Sequence, residues 1–197
     1  MRMKKTTLTL VMLSSLISGY SFAAPAQNDT SQANLDFAGK VTASLCQVDT
    51  SNLSQTIYLG ELSTSELKAT GKGPAKSFAV NLINCDTTLN SIKYTIAGNN
   101  NTGSDTKYLV PASNDTSASG VGVYIQDNNA TPVAIGTEIT VPVVSNNGSA
   151  LSDQSIPLQA YIGTTTGTAD ANGSVKAGTV AASAVMTIRT AGTAQVP

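Results

Sequence analysis

Apolar and polar residues alternate along much of this chain with a period of two. In the segments 78–82, 92–96, 121–125 and 156–162, every second residue is apolar. That period is typical of a strand that buries one face and exposes the other. The predicted strands are Ala33–Leu45, Thr56–Leu59, Ser77–Asn84, Ser91–Ala97, Val121–Gln126, Glu138–Val144, Ser155–Ile162 and Ala182–Thr190, with a short helix at Ser63–Ala69.

The segments between these strands are rich in turn-forming residues. Gly and Asn cluster at 71–74, 98–103, 146–148 and 163–167, where they favour tight reversals of the chain. Several short strands with frequent turns predict an all-β fold, specifically a β-sandwich of the immunoglobulin-like type. No internal repeat or interdomain linker interrupts the pattern, so we predict one domain after the N-terminal region.

The first predicted strand is longer than a single domain needs. Alternation from Ser31 through Leu45 covers about 15 residues, whereas most strands have 3–10, and Gly39 is the one point that could divide it. Residues 24–37 could then form an extended arm that adds itself to the sheet edge of another chain. Alternatively, residues 31–45 form one long bent strand within the same domain, and the pattern alone does not decide between them.

The N-terminus has the order of a secretory signal peptide. Three basic residues precede an apolar stretch, and the small-residue pattern ends at Ala23, which predicts cleavage of residues 1–23. The alternative, a membrane anchor, needs about 20 apolar residues, and this stretch is shorter. We therefore predict export, with no membrane span in the mature chain.

The mature chain of 174 residues carries 8 basic and 12 acidic residues, a net charge of −4. It has no basic run, so nothing predicts binding to nucleic acid or to anionic lipid. The chain has no His and only 2 Cys, which excludes Ser-His-Asp catalysis, His-ligated zinc and four-thiolate metal sites. The carboxylates are scattered, and we predict no enzyme activity, no cofactor and no metal. Asn99–Asp105 and Asp127–Asn129 offer oxygen ligands but lack EF-hand spacing, and polar turns explain both.

Cys46 and Cys85 are the two cysteines of the chain. In an exported chain a disulfide between them is the default interpretation, and two free thiols are the alternative. Closing a loop with 38 intervening residues would stabilise the fold by roughly 3–4 kcal/mol.

Five segments in order resemble the subunits of chaperone–usher fimbriae of the type 1 kind. The resemblance as a whole covers residues 31–190. The segments are Phe37-Ala-Gly-Lys-Val-Thr-Ala-Ser-Leu-Cys-Gln-Val-Asp49, Ile57-Tyr-Leu-Gly60 with the turn that follows, Phe78-Ala-Val-Asn-Leu-Ile-Asn-Cys-Asp86, Gly122-Val-Tyr-Ile-Gln-Asp127 and Ile156-Pro-Leu-Gln-Ala-Tyr161.

The resemblance implies an incomplete immunoglobulin-like sandwich, residues 38–190, completed by a donor strand from a neighbouring subunit. A periplasmic chaperone first fills the apolar groove, and an outer-membrane usher then exchanges it for the arm of the next subunit, which builds a fimbria on the cell surface. Carried onto this sequence, the donor strand presents Ser31, Ala33, Leu35 and Phe37, and Ala184, Met186 and Ile188 of the last strand line the acceptor groove.

The C-terminus departs from the family pattern. Thr190 stands where a penultimate Tyr is typical, and residues 191–197 extend beyond it as a predicted flexible tail. We predict a structural subunit that forms a homopolymer for adhesion. The alternatives are a minor adaptor subunit of the same fibre, or a self-contained secreted module that binds glycan or protein.

Overall fold

The computed structural model describes residues 46–102, 106–170 and 173–192, and all of them belong to one compact unit. Their secondary structure is almost entirely strand. The elements are β1 (Gln47–Val48), a 3-10 turn (Thr50–Asn52), α1 (Thr64–Thr70), β2 (Lys76–Ile83), β3 (Leu89–Gly98), β4 (Val121–Asp127), β5 (Ile139–Val141), β6 (Ser145–Asn146), β7 (Ser149–Ala150), β8 (Gln154–Thr164) and β9 (Ala184–Gly192).

The strands form two main antiparallel sheets. One has the order β1-β2-β8-β4 and the other β5-β3-β9, while β6 and β7 form a small hairpin. The long pairings of β8 with β2 and β4, and of β3 with β9, join strands that are distant in sequence. This arrangement is an all-β sandwich, as the alternating pattern predicts.

One apolar core joins the inner faces of the two sheets. From Ile92 to Ile96 every second residue of β3 is buried, and the same holds for β8 from Gln154 to Ala160. The fully buried side chains of the core come from both sheets and include Leu82, Ile92, Ile156 and Leu158, each at most 2% exposed. Burial of large aliphatic side chains of this kind stabilises a fold by about 1.5–3 kcal/mol each.

The predicted helix is present as α1, and its ends follow from local chemistry. The Ser63 hydroxyl accepts a hydrogen bond from the Glu66 backbone N–H at 3.1 Å, which caps the first turn. The helix ends at Gly71, whose φ of 79° is accessible to glycine without a side-chain clash. Among the described residues, no helix is long and apolar enough to cross a membrane.

Two strand predictions need correction. Thr56–Leu59 is irregular: Tyr58 is 76% exposed, and Gly60 turns the chain with a φ of 84°. The strand predicted at Glu138–Val144 covers only Ile139–Val141, because Pro142 has no N–H to donate to the ladder. The last strand continues through Ala191 and Gly192, while the predicted strand Ala33–Leu45 lies outside the described residues.

Candidate functional site

Among the described residues, the last strand, β9, lies at the edge of its sheet. It pairs with β3 along nearly its whole length, from Ala184 opposite Gly98 to Gly192 opposite Leu89. In the part of the chain that the structure describes, β3 is its only ladder partner. The opposite edge of β9 therefore presents backbone N–H and C=O groups on which a further strand can pair.

The register of β9 decides which of its side chains face the core. Met186 lies opposite Ile96, and Ile188 lies opposite Tyr94. Residues directly opposite in a sheet point to the same face, so Met186 and Ile188 share the face of buried β3 side chains. Both are only half-buried and pack against the core, which leaves an apolar surface incompletely covered.

Ala184 belongs to the same face at the N-terminal end of β9, opposite Gly98. The structure thus brings the three predicted groove residues, Ala184, Met186 and Ile188, onto one side of one edge strand. Ala184 is exposed, and the side chains of Asn101 and Leu109 occupy the space where a Cβ on Gly98 would lie. The role of the three residues as an acceptor groove stays a prediction.

The outer face of the same sheet carries a charged group that joins three strands. The Lys93 ammonium of β3 lies 2.9 Å from a Glu138 carboxylate oxygen just before β5, and the Arg189 guanidinium of β9 lies 3.8 Å from the other oxygen. The hydrogen bond from Lys93 and the charges of Lys93 and Arg189 lower the pKa of Glu138. The carboxylate therefore links β9 to the rest of its sheet from the solvent side.

Cys46 and Cys85 form a disulfide, as predicted from their number and the export signal. Cys46 directly precedes β1, and Cys85 follows β2 after Asn84, whose φ of 54° turns the chain out of the strand. Both cysteines are buried in the core. The bond fixes the short β1 against the end of β2, two strands that are adjacent in the same sheet.

Three other carboxylates with lowered pKa, unlike Glu138, close local turns. The Asp127 carboxylate accepts hydrogen bonds from the backbone N–H groups of Asn129 and Thr131 at 2.8 and 2.7 Å, and these bonds, that from Thr131 foremost, lower its pKa. The pKa of Asp49 and that of Asp86 are lowered in the same way by Ser51 and Thr88. Within the described ranges, no group of three or more acidic or thiol side chains is positioned for a metal ion.

Two polar features of the structure have no signal in the sequence pattern. The buried Gln154 side chain accepts a hydrogen bond from the Val144 N–H and donates to the carbonyls of Val144 and Leu151, all within 2.9 Å. The second feature is a row of three tyrosine rings, Tyr108, Tyr124 and Tyr161, with centroids 5.2–5.4 Å apart. Nothing in an alternating pattern separates a buried Gln from an exposed one.

The four predicted donor-strand residues, Ser31, Ala33, Leu35 and Phe37, lie outside the described residues. What the structure describes is β9, an edge strand among the described residues, with a half-buried apolar face.

Comparison with known proteins gives matches along nearly the whole chain. The family model described as "Fimbrial protein" matches residues 35–189. Fimbrial protein 987P of Escherichia coli is 88% identical over 193 residues, which cover 98% of this chain and 100% of that protein. The type-1 fimbrial protein subunit of Serratia marcescens is 34% identical over 142 residues, 68% of this chain and 72% of that protein.

Solved structures agree on the fold. A subunit from a chaperone–usher pilus structure that addresses rod uncoiling superposes with a TM-score of 0.59 at 19% identity, over 81% of this chain and 96% of that one. The P pilus rod subunit PapA superposes with a TM-score of 0.54 at 20% identity, over 76% of this chain and 99% of that one. At these identities the likeness concerns the fold, an immunoglobulin-like all-β sandwich.

Proposed function

Because this chain belongs to the fimbrial protein family and is a pilin subunit that builds a fimbria, we propose that its subunits join by strand exchange. In this proposal, the N-terminal arm of one subunit, within residues 24–37, pairs with the open edge of β9 in the next. The observation that carries the proposal is that β9 is an edge strand whose inward side chains, Met186 and Ile188, are only half-buried.

The arm has the pattern of a strand with one apolar face. Ala33, Leu35 and Phe37 alternate with the polar Asn34 and Asp36, so an extended conformation puts the three apolar side chains on one side. Ser31 extends the same face at its outer end. Paired with β9, this face would point into the sandwich, where it removes apolar surface from water.

Side-chain size favours an antiparallel pairing of the arm with β9. In that direction the small Ala33 meets the large Ile188, Leu35 meets Met186, and the large Phe37 meets Ala184. A parallel pairing would instead place Leu35 beside Met186 and Phe37 beside Ile188, large side chains on large ones. Because cores are close-packed, the antiparallel pairing covers the half-buried face better.

The same open edge explains which partners the subunit needs before assembly. An exposed edge with an apolar face associates non-specifically, so a periplasmic chaperone covers it until an outer-membrane usher presents the next arm. The product is a homopolymer displayed on the cell surface as a fimbria. The signal peptide predicted at residues 1–23 and the oxidised Cys46–Cys85 pair support a route through the periplasm.

Deletion of Gln27–Leu35 tests this function. The truncated subunit keeps β9 and its open edge, so we expect it to be captured by the chaperone but not to polymerise. The measurement is the heat-resistant ladder of oligomers on a denaturing gel after co-expression with the chaperone and usher.

Two point variants, one on each face of the arm, serve as controls for the deletion. Leu35→Asp places a charge on the apolar face and should abolish the ladder, whereas Asn34→Ser changes the polar face and should preserve it. A full-length ladder from the deletion variant would show that the arm is not the donor strand.

A further inference from the structure

The strand β2 has a second edge that is only partly paired. One side of β2 pairs with β8 from Lys76 to Leu82, while the other side pairs with β1 only at Leu82 and Ile83. Beyond that point, β2 carries Phe78 and Val80, which are half-buried and pack against the core. This edge of β2 therefore resembles the edge of β9: its backbone lacks a long strand partner, and its apolar side chains are only half-buried.

Two amide side chains occupy the next positions of the β2 ladder. The Asn52 Oδ1 atom accepts a hydrogen bond from the Asn81 N–H at 2.6 Å, and the Gln55 Nε2 atom donates to the Ala79 carbonyl at 3.0 Å. Asn81 and Ala79 are two residues apart, so their backbone groups point to the same edge. The Asn81 carbonyl is also used, because it accepts from the Asp49 N–H at 2.9 Å.

Local structure explains why side chains replace a strand here. After β1 the chain enters the 3-10 turn Thr50–Asn52, which begins where the Asp49 carboxylate accepts hydrogen bonds from the Ser51 N–H and hydroxyl, each at 2.9 Å. The turn takes the backbone out of the ladder. Asn52 and Gln55 then reach back to the groups that the backbone no longer pairs.

We propose that Asn52 and Gln55 form an edge cap that denies β2 to an incoming strand and leaves β9 as the accepting edge. The inference rests on the proposed strand exchange and adds to it the residues that select the edge. An arm that paired with β2 would have to displace both amides from the Asn81 N–H and the Ala79 carbonyl. Because β9 has no such cap among the described residues, pairing there carries no equivalent cost.

The two amides have opposite hydrogen-bonding roles, which gives the cap a chemical signature. Asn52→Asp keeps an acceptor oxygen for the Asn81 N–H, so the cap should survive. Gln55→Glu replaces the donor with a carboxylate that faces the Ala79 carbonyl, so the cap should open as fully as in Gln55→Ala. If the residues only filled space, the two near-isosteric changes would have equal effects.

The experiment maps where a donor peptide binds. The probe is a synthetic peptide of residues 27–37 with a benzophenone side chain in place of Leu35, added in excess to the chain of residues 24–197 refolded with its disulfide intact. After irradiation, mass spectrometry assigns the cross-links to β9 or to β2. The variants are Asn52→Ala with Gln55→Ala, Asn52→Asp, and Gln55→Glu, with Asn128→Ala in an exposed turn as the matched control.

We expect cross-links on β9 in every protein, and an increase on the order of tenfold in β2 cross-links for the double-alanine and Gln55→Glu variants only. Cross-links confined to β9 in all variants would overturn the edge cap and leave strand exchange standing. Cross-links on β2 but not β9 in the opened variants would support the cap and refute pairing at β9, and absence of cross-links everywhere would refute both. Circular dichroism and an intact disulfide confirm that each variant is folded.

Discussion

At the scale of single residues, Tyr124 combines a stacked ring with a buried hydroxyl. Its hydroxyl donates to the Thr164 carbonyl at 2.7 Å, and its ring lies between those of Tyr108 and Tyr161. Gly122 and Gly163 make room for these rings, because a Cβ on either would lie within 3 Å of a tyrosine ring. Burial raises the pKa of Tyr124 to about 12, with smaller contributions from Tyr108 and Tyr161.

The raised pKa predicts a loss of stability at alkaline pH. Between the ordinary tyrosine pKa of about 10 and the folded value of about 12, the unfolded chain releases this proton while the folded chain retains it. The contribution of Tyr124 is therefore complete below pH 10 and is lost as pH rises through 12.

Tyr124→Phe tests this linkage. It removes the hydrogen bond to Thr164, so we expect the free energy of unfolding at pH 7 to fall by about 1 kcal/mol. Stability should also decline less steeply above pH 10, because the group that titrates is gone. Urea denaturation across the pH range measures both effects. Tyr58→Phe is the control, since Tyr58 is 76% exposed, and an equal change in its alkaline slope would contradict the assignment.

At the scale of elements, the position of β9 depends on contacts from both faces of its sheet. The inner face packs Met186 and Ile188 on the core, and the outer face is held by Glu138 between Lys93 and Arg189. Glu138 lies just before β5 and pairs with Lys93 of β3 and with Arg189 of β9. These two contacts favour one register of β9 on β3. Glu138 forms these ion pairs only when its carboxylate is ionised.

Glu138→Gln should make the sheet less sensitive to acid. The pKa of Glu138 is lowered by Lys93 and Arg189, so its contribution is complete above the ordinary carboxyl value and is lost as pH falls through the lowered folded value. The variant should be slightly less stable at pH 7 and should lose less stability on acidification. Chemical denaturation between pH 7 and pH 3 measures this, with Glu61→Gln as the control. An unchanged acid slope in the variant would show that the ion pairs do not contribute.

The longer strands were predictable because their apolar residues recur with a period of two and face the core, although β4 is buried on both faces. β2, β3, β4, β8 and β9 all follow the alternation, and each begins and ends within a few residues of its predicted bounds. The two-residue strands β1, β6 and β7 are too short to show a period. Thr56–Leu59 has the composition of a strand, yet the edge of β2 that it could join is occupied by the Gln55 and Asn52 side chains.

The candidate site was predictable only in part, for a related reason. The inward positions Ala184, Met186 and Ile188 follow from period two, and the structure puts them on one face. Which strand edge lacks a ladder partner among the described residues depends on pairing between strands distant in sequence, and no local pattern encodes that pairing. The contacts of Gln154, Asn52 and Gln55 are of the same long-range kind.

At the scale of the whole molecule, the disulfide ties the short first strand of the sandwich to its neighbour β2. Cys46 and Cys85 are 39 positions apart and lie at the junction of β1 with β2. The bond restricts the unfolded chain and holds the short β1 in place, at the segment that leads into the Asn52 and Gln55 cap.

Replacing both cysteines, Cys46→Ser with Cys85→Ser, should lower the free energy of unfolding by roughly 3–4 kcal/mol. Most of the effect should appear as reduced yield of folded subunit, since small domains have only about 5–15 kcal/mol of stability in total. Urea denaturation of the wild type with and without reductant gives the same comparison without mutation. If the reduced and oxidised proteins had equal midpoints, the bond would be dispensable for folding.

The direction of the β9 ladder also determines how a joined subunit would respond to mechanical force. Hydrogen bonds between antiparallel strands run perpendicular to the strand axis, and β9 offers an edge nine residues long. When a strand paired along that edge is pulled along its own axis, all of its inter-strand hydrogen bonds are loaded in shear at once. They do not open one by one. Tension on the fibre would thus be shared along the whole length of β9, and the strength of each joint would grow with the length of strand that is paired.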